Sequence, residues 1–397
     1  MTVLLGTATF VMLPEPAKAP SHPIERPFGS HVLKTAVEWS EDPPAELIAA
    51  SKLEVPGDRP LRVLMISMGG EYAAYGAGML TASGEQPGWL DFDIVTGVSA
   101  GGLLATFAFA HALEPEAMKR RLGAFAAAVE EADSVLPFIE AWRVVLGRGT
   151  TVANNLQAVA GAMIDDALVE KIAQQQRAGR RLFVSSTDLT TGEAIVWDIG
   201  LIAASDLEDR VARVRSALLA SMTVPVLFAP RSIGARSVST WHVDGGVMHP
   251  FFVSGIVRAM RSGQRDMELD FLLNGKLRDP IEVADISPRP DKVTARALKL
   301  LQHVHWRSTL QVLLLETAMR GLTVRVAAIP SEVALPEHAV DFAAPVMIGL
   351  FEDGLQRSRQ VLAGPGGDDA LWQRLTPKSI GAERMLPETL QLPATKP

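Results

Sequence analysis

Short runs of apolar residues alternate with longer amphipathic stretches along most of this 397-residue chain. Runs with the length and composition of buried strands lie at residues 61–67, 93–96, 181–186, 194–198 and 322–329. Stretches with apolar residues at helical spacing, which we expect to be helices, lie at residues 116–131, 159–177, 206–220 and 293–320. Gly321 follows the last of these as an expected helix C-cap. The alternation predicts an α/β fold with helices on both faces of a mostly parallel central sheet.

The sequence Gly97-Val98-Ser99-Ala100-Gly101 lies between one of these strand-like runs and an apolar, helix-like run. A G-x-S-x-G sequence between strand and helix is typical of a nucleophile elbow, in which the serine is held at the tip of a sharp turn. Gly97 and Gly101 lack a Cβ, so the backbone can fold tightly on both sides of the serine. The positive end of the following helix would face an oxyanion formed there. Ser99 is therefore the candidate nucleophile.

A pair of glycines, Gly69 and Gly70, lies one predicted βα unit earlier. Paired glycines between strand and helix let backbone amides approach an anion, so the pair fits an oxyanion hole, a phosphate-binding turn or simply a tight connection. Neither G-x-G-x-x-G nor the Gly-Lys-Ser/Thr ending of a Walker A loop is present, which disfavours nucleotide binding. Because a nucleophile elbow is predicted in the next unit, we favour the oxyanion hole.

The third candidate sequence is Asp244-Gly245-Gly246, after a strand-like run at residues 237–243. An Asp-Gly pair most commonly marks a hairpin turn. A serine nucleophile needs a base, however, and a carboxylate at the end of a strand can be that base. The neighbouring glycines would let another backbone segment come close. Asp244 is therefore the candidate base.

These three sequences, in this order, resemble the patatin-like phospholipase family, whose members carry a glycine-rich oxyanion turn, a G-x-S-x-G elbow and a D-G-G/A motif. The similarity extends over roughly residues 60–360. The resemblance implies a three-layer α/β/α patatin-like fold and a Ser–Asp dyad, with Ser99 as nucleophile and Asp244 as base. It also implies an oxyanion hole formed by the amides of Gly69, Gly70 and Glu71. The implied activity is hydrolysis of carboxylic esters of lipids or phospholipids through an acyl-enzyme, without a cofactor.

The candidate oxyanion turn departs from the family pattern. The family's turn is usually G-G-G-x-R/K-G, whereas this chain has Met68-Gly69-Gly70-Glu71-Tyr72-Ala73. Oxyanion donors are backbone amides, so changed side chains need not abolish the hole. Ala73 would be strained by about 1 kcal/mol or more if its position requires a positive φ. The absence of the basic residue weakens the expected attraction for an anionic headgroup.

Two alternative functions are compatible with the sequence. An α/β-hydrolase triad follows the order Ser, acid, His, and four histidines follow Asp244, namely His249, His303, His305 and His338. No His-Gly-Gly-Gly motif occurs, and the candidate oxyanion turn immediately precedes the elbow unit, so we favour the dyad. The altered turn also suggests a catalytically inactive lipid-binding relative. The presence of both Ser99 and Asp244 argues against that alternative.

Composition and charge restrict the partners. The net charge of −7, a pI near 5.7 and the lack of a Lys/Arg cluster argue against a nucleic-acid partner. The chain has no uninterrupted apolar stretch of ~20 residues, so we predict no transmembrane helix. The chain has no cysteine and no set of His, Asp or Glu with zinc or EF-hand spacing, so we expect no metal. The resemblance implies a lipid ester substrate, met at a membrane surface; the oligomeric state is not indicated.

Three segments are predicted along the chain: an N-terminal apolar and Pro-rich extension (1–57), the hydrolase domain (58–362) and a loosely ordered C-terminal tail (363–397). Residues 2–13 have the length of a signal-peptide apolar region, and Ala17-Lys18-Ala19 is similar to a cleavage site. No Lys or Arg precedes the apolar run, so the usual positive region is missing. We therefore expect either an exported or membrane-associated protein, or a cytoplasmic one with an extended N-terminal arm.

Overall fold

A computed structural model describes residues 28, 30–33, 59–133, 161, 163–225, 228–235, 238–252, 267–277, 290–319, 321–336 and 342–375. Within these residues ten strands form one mixed sheet: β1 (Ser30–Leu33), β2 (Leu61–Ile66), β3 (Ile94–Val98), β4 (Arg181–Asp188), β5 (Glu193–Asp198), β6 (Arg231–Ala235), β7 (Val238–Asp244), β8 (Met267–Leu273), β9 (Thr323–Ala328) and β10 (Gln373–Leu375). The main strand order is β1-β5-β4-β3-β2-β8-β9-β10.

The five central strands, from β4 through β3, β2 and β8 to β9, are parallel to one another. The strands at the two ends of the sheet, β1, β5 and β10, pair antiparallel. Strand β7 also pairs antiparallel with the end of β4, and β6 pairs antiparallel with β7. The β6–β7 pair therefore lies beyond the carboxyl end of β3, where an open α/β sheet usually binds its ligand.

Both faces of the central strands are buried, as expected for a parallel sheet. Leu64, Ile66 and Val95 face one apolar core, whereas Val63, Met65 and Ile94 face the other. The first core is covered by most of the described helices: α1 (Ala73–Gly84), α2 (Ala100–Phe109), α3 (Pro115–Asp133), α4 (Asp166–Arg177), α5 (Ile199–Ala204), α6 (Arg210–Met222) and α8 (Ala344–Ala363). Helix α7 (Pro290–Met319) contributes Leu310, Leu313 and Leu314 to the second core. The predicted three-layer α/β/α fold with a mostly parallel sheet is thereby confirmed.

Parts of both predicted terminal segments belong to the fold. Strand β1, within the predicted N-terminal extension, pairs with β5. At the other end, a short helix α9 (Gly367–Leu371) and strand β10 follow α8. Trp372, between them, is fully buried and donates a hydrogen bond from Nε1 to Ser83 Oγ at 3.1 Å. The fold therefore continues beyond residue 363 to at least 375; the predicted signal-like segment (1–19) and residues 376–397 lie outside the described residues.

None of the helices among the described residues combines the length and the hydropathy needed to span a bilayer.

Candidate active site

Ser99 occupies a sharp turn between β3 and α2. Its φ of 57° and ψ of −133° lie in a region that residues with a side chain rarely adopt. The turn is this tight because glycines surround the serine: a Cβ on Gly97 would lie 2.4 Å from the Gly101 carbonyl oxygen. A Cβ on Gly101 would lie 2.2 Å from the carbonyl oxygen of Ser67. The second contact packs the elbow against Ser67, which follows β2 and lies two residues before Gly69.

Asp244, the last residue of β7, faces the serine. The Ser99 hydroxyl donates a hydrogen bond to Asp244 Oδ2 at 2.5 Å, and Gly246 N–H donates one to Oδ1 at 2.7 Å. Asp244 N–H donates to the Thr223 carbonyl, and the Thr187 hydroxyl donates to the Asp244 carbonyl. The backbone of Asp244 is thus held on both sides, which fixes the direction of its carboxylate.

The glycines after Asp244 permit close packing there. A Cβ on Gly245 would lie 2.3 Å from the carbonyl oxygen of Ser185 on β4. A Cβ on Gly246 would lie 2.3 Å from Met68 Sδ. Gly245 therefore allows the backbone after Asp244 to lie against β4, while Gly246 allows it to approach the residue that precedes the candidate oxyanion turn.

Burial controls the protonation of Asp244. The residue is only 5% exposed, and desolvation raises its carboxyl pKa to about 6, against the opposing effect of the hydrogen bonds from Ser99 and Gly246. At pH 7 the carboxylate is still mainly ionised, yet it is a stronger base than an exposed aspartate. A pKa close to the working pH is what general base catalysis favours.

The candidate oxyanion turn follows β2 as one turn of 3-10 helix, Gly70–Tyr72. Gly70 adopts a φ of 54°, a conformation that glycine reaches without a steric penalty. The amides of Gly69 and Gly70 donate none of the hydrogen bonds recorded among the described residues. Ala73 has a φ of −60°, so the strain considered for this position is absent.

Glu71 and Tyr72 hold the turn through their side chains. The Glu71 side chain is fully buried, and its Oε2 accepts a hydrogen bond from Phe342 N–H at 2.8 Å. The Tyr72 hydroxyl donates to the Pro336 carbonyl at 2.5 Å. Both side chains are therefore engaged with the chain that leads into α8, and Glu71 would serve the predicted hole through its amide.

Sequence reasoning missed two supporting contacts. Ser221, fully buried near the end of α6, accepts a hydrogen bond from Ser99 N–H at 2.9 Å. Asn274 follows β8 and donates from its own backbone N–H to Ser67 Oγ at 2.9 Å and from Nδ2 to the Ser67 carbonyl at 2.7 Å. These contacts fix the elbow and the strand end before Gly69. Both residues lie in segments that the family resemblance covers, but the resemblance indicated no contact for either side chain.

Among the described residues, no histidine proposed for a triad makes a hydrogen bond with Ser99 or Asp244. The recorded hydrogen bonds to the Asp244 carboxylate come from Ser99 and Gly246. His305, on α7, bonds the Met248 backbone, and burial lowers its pKa. His303 packs edge-on against Trp306, and His338 lies outside the described residues. Neither His249 nor His305 has a recorded contact with Ser99 or Asp244.

A different histidine, His242, is buried two residues before Asp244. Its Nδ1 lies 3.1 Å from Ser186 Oγ, and its Nε2 lies 2.8 Å from Thr240 Oγ1. Trp197 Nε1 donates to the same Ser186 oxygen at 2.8 Å. Sequence reasoning did not single out this polar group, which packs beside the strand that carries Asp244.

An apolar pocket lies next to the candidate oxyanion turn and to Ala100, the residue that follows Ser99. It contains about 430 Å³ of empty space, part of it open to solvent. Gly70 and Ala100 line it next to the turn and the nucleophile, and its wall is formed by apolar side chains that include Leu103, Leu104, Phe107, Met118, Leu122 and Phe125. The pocket therefore suits a hydrocarbon chain with its reacting end at Ser99.

A substitution in the candidate oxyanion turn tests its role. We expect Gly70→Val to lower kcat by about 10²-fold or more, since a displaced oxyanion donor costs that much. The measurement is kcat for ester hydrolysis by the variant and by wild type.

Gly179 is a matched control, because its φ of 96° is also positive and a Cβ there would meet nothing within 4 Å. Gly179→Val introduces similar backbone strain away from the site and should keep kcat. If Tyr72→Phe lost as much activity as Gly70→Val, the phenol would be the donor instead.

Comparison with known proteins identifies this region. Residues 64–255 match the family model described as patatin-like phospholipase. No curated protein is significantly similar to the chain. Among solved structures, VipD from Legionella pneumophila has 12% identity and a TM-score of 0.31, with 74% of this chain and 67% of that chain covered.

Two further solved structures are similar at the same level of identity. Human GIVD cytosolic phospholipase A2, in complex with methyl gamma-linolenyl fluorophosphonate, has 12% identity and a TM-score of 0.31, with 91% of this chain and 66% of that chain covered. The type III effector protein ExoU has 12% identity and a TM-score of 0.24, with 78% and 58% covered. This chain thus spans about two thirds, or less, of the length of these proteins. TM-scores of this size do not by themselves establish a common fold.

Proposed function

The chain belongs to the patatin-like phospholipase family through residues 64–255, and we propose that it is a serine lipid acyl hydrolase working through a dyad of Ser99 and Asp244. One observation carries the proposal: the Ser99 hydroxyl donates to a buried carboxylate at 2.5 Å, and an apolar pocket lies next to the residue that follows Ser99. The substrate class is a carboxylic ester of a lipid, whose acyl chain would occupy that pocket.

In the proposed reaction Asp244 removes the hydroxyl proton as Ser99 Oγ attacks the ester carbonyl carbon. The amides of Gly69, Gly70 and Glu71 would donate hydrogen bonds to the oxyanion. The bond between the carbonyl carbon and the alcohol oxygen then breaks, and the leaving alkoxide takes the proton from Asp244. Water next attacks the acyl-enzyme with Asp244 again as base, releasing the fatty acid and returning the proton to Ser99.

The two alternative functions have weaker support. A histidine base would need contact with Ser99, and the recorded hydrogen bond from that hydroxyl goes to Asp244. An inactive lipid-binding relative is suggested by the altered turn alone. The relaxed φ of Ala73 and the positive φ of Gly70 remove the conformational objection to a working turn.

Hydrolysis of esters that differ only in acyl length tests the proposal. We expect kcat/KM for p-nitrophenyl octanoate to exceed that for the acetate by at least about 10-fold, because each buried methylene contributes about 0.8 kcal/mol. A fluorophosphonate should abolish both activities by modifying Ser99. Equal or reversed preference would refute the acyl role of the pocket, whereas insensitivity to the fluorophosphonate would refute a serine mechanism.

A further inference from the structure

Phe342 lies just before α8 and forms part of the wall of the apolar pocket. Its ring is buried and packs edge-on against the ring of Phe125, another wall residue, with the two ring centroids 5.2 Å apart. Gly70, in the candidate oxyanion turn, lines the same pocket. The Phe342 ring therefore belongs to the surface that an acyl chain would contact.

The backbone of Phe342 has a left-handed conformation. Its φ is 49°, which is unfavourable for a residue with a large side chain. Such a conformation persists only when the surrounding contacts hold it. Without them the backbone would relax to a negative φ, and the ring would leave its place in the pocket wall because the direction of the Cα–Cβ bond would change.

Glu71 makes a contact that holds this conformation. Its Oε2 accepts a hydrogen bond from Phe342 N–H at 2.8 Å. The Glu71 side chain is fully buried, so loss of the acceptor would leave a buried amide without its partner, which is costly. Glu71 directly follows Gly70 and belongs to the same 3-10 turn. One residue thus joins the candidate oxyanion turn to the backbone of the pocket wall.

Tyr72 joins the turn to the same part of the chain. Its hydroxyl donates to the carbonyl oxygen of Pro336, which precedes Phe342. The family pattern usually has Arg or Lys at this position of the turn. In this chain, the two residues that follow Gly70 therefore both connect the turn with the chain that leads into α8.

We propose that Glu71 is a positioning residue of the apolar pocket, because its bond to Phe342 N–H keeps the Phe342 ring in the pocket wall. The inference rests on the proposed function and names a residue that determines its acyl specificity. The Glu71 side chain acts through Phe342 rather than on the reacting atoms. The role requires a hydrogen-bond acceptor at the end of a side chain of this length, and glutamine also provides one.

Binding of methyl cis-parinarate to a full-length Ser99→Ala protein tests the proposal without relying on turnover. This fatty ester fluoresces in apolar surroundings, so a fluorescence titration gives its dissociation constant. Adding Glu71→Met, which keeps the side-chain length and removes the oxygen acceptor, should raise that constant about 10-fold, the effect of losing contact with roughly two methylene groups. Adding Glu71→Gln should raise it less than about 3-fold, because the amide oxygen can still accept from Phe342 N–H.

A double-mutant cycle with Phe342→Ala tests whether Glu71 acts through the ring. Phe342→Ala alone should raise the dissociation constant by a similar factor, about 10-fold. Adding Glu71→Met to it should raise the constant no further, since both changes remove the same contact. Additive losses, or a loss in Glu71→Gln as large as in Glu71→Met, would overturn the proposal. Should Glu71→Met fail to fold, unchanged binding by a folded Phe342→Ala protein would still overturn it.

Glu85→Met is the matched control. Glu85 follows the other end of α1 and pairs with Arg359 in an exposed contact. The same chemical change there should leave the dissociation constant as it is in the Ser99→Ala parent. Weaker binding by the folded Glu85→Met protein, equal to that of Glu71→Met, would overturn the proposal, because the loss would then follow from removing an acidic residue and not from the bond to Phe342.

Ester hydrolysis by the protein with Ser99 intact separates this inference from the proposed function. The readout is the ratio of kcat/KM for p-nitrophenyl octanoate to kcat/KM for the acetate. Glu71→Met should lower that ratio about 10-fold, and Glu71→Gln should keep most of it. If wild type hydrolyses neither ester, the proposed function fails, while the binding cycle still decides the role of Glu71. If both are hydrolysed and Glu71→Met keeps the wild-type ratio, the role of Glu71 fails and the hydrolase assignment stands.

Discussion

Replacing Ser99 with alanine is expected to abolish ester hydrolysis, with a loss in kcat of at least about 10⁴-fold. The hydroxyl that would attack the carbonyl is removed, and no other group takes its position on the elbow. The fold should persist, because alanine tolerates the φ of 57° about as well as serine and only the Oγ bond to Asp244 is lost. Activity is measured on p-nitrophenyl octanoate, and folding by circular dichroism.

A fluorophosphonate gives the same test a direct readout. Intact-mass measurement should find one adduct on the wild-type chain and none on Ser99→Ala, with the modified peptide containing Ser99. Ser331 is an exposed serine whose hydroxyl donates a hydrogen bond to the Glu332 carboxylate, so Ser331→Ala should keep both the label and the activity. Hydrolysis at the wild-type rate by a folded Ser99→Ala protein would exclude Ser99 as the nucleophile.

Local geometry is the part of this site that the sequence predicts well. The elbow depends on residues adjacent in the chain, and the contacts of Gly97 and Gly101 explain why glycine is needed there. The central strands are predicted for a similar reason, because burial on both faces produces apolar runs. Helix ends are predicted less well: α4 begins at Asp166, where the Asp165 side chain accepts a hydrogen bond from Leu168 N–H, a cap that apolar periodicity does not reveal.

Contacts between distant parts of the chain are what the sequence leaves open. Ser99 and Asp244 are 145 positions apart, and β7 joins them by pairing with the far end of β4. Motif order and family resemblance suggested that pair, whereas spacing alone did not. The family resemblance also covered the segments that contain Ser221 and Asn274, but it did not indicate the contacts that these two residues make. Their roles arise from which backbone groups or strands they face, and that depends on the packing of the whole sheet.

Changing Asp244 to asparagine is expected to lower kcat by at least about 10³-fold, nearly as far as Ser99→Ala. Asparagine keeps the shape and can still accept the Gly246 N–H bond, but it cannot take the serine proton. The losses of kcat in the two single variants should be strongly non-additive, because both residues serve one proton transfer. The double variant should be no less active than Ser99→Ala.

Four histidine variants are the control for this assignment. Most of kcat should remain when one residue at a time is changed to glutamine among His249, His303, His305 and His338. Loss of turnover in one of these folded variants, together with an active Asp244→Asn, would establish a histidine base.

The raised pKa of Asp244 makes this prediction testable by pH. The base works only when ionised, so wild-type kcat/KM should fall about 10-fold for each pH unit below 6, and the residual activity of Asp244→Asn should lack that decrease.

The stability of the fold should change with pH in the opposite sense. The carboxyl pKa of Asp244 is about 6 in the folded protein and ordinarily 3.8. Its contribution to the free energy of unfolding is therefore most favourable below pH 3.8 and is lost as the pH rises through 6. Above pH 6 the buried charge costs about 3 kcal/mol, from roughly two pKa units. Asp244→Asn should therefore raise the melting temperature at pH 8 and change it little at pH 4. A lower melting temperature at pH 8 would mean that the carboxylate stabilises the fold, and that its burial has not produced the basicity assigned to it.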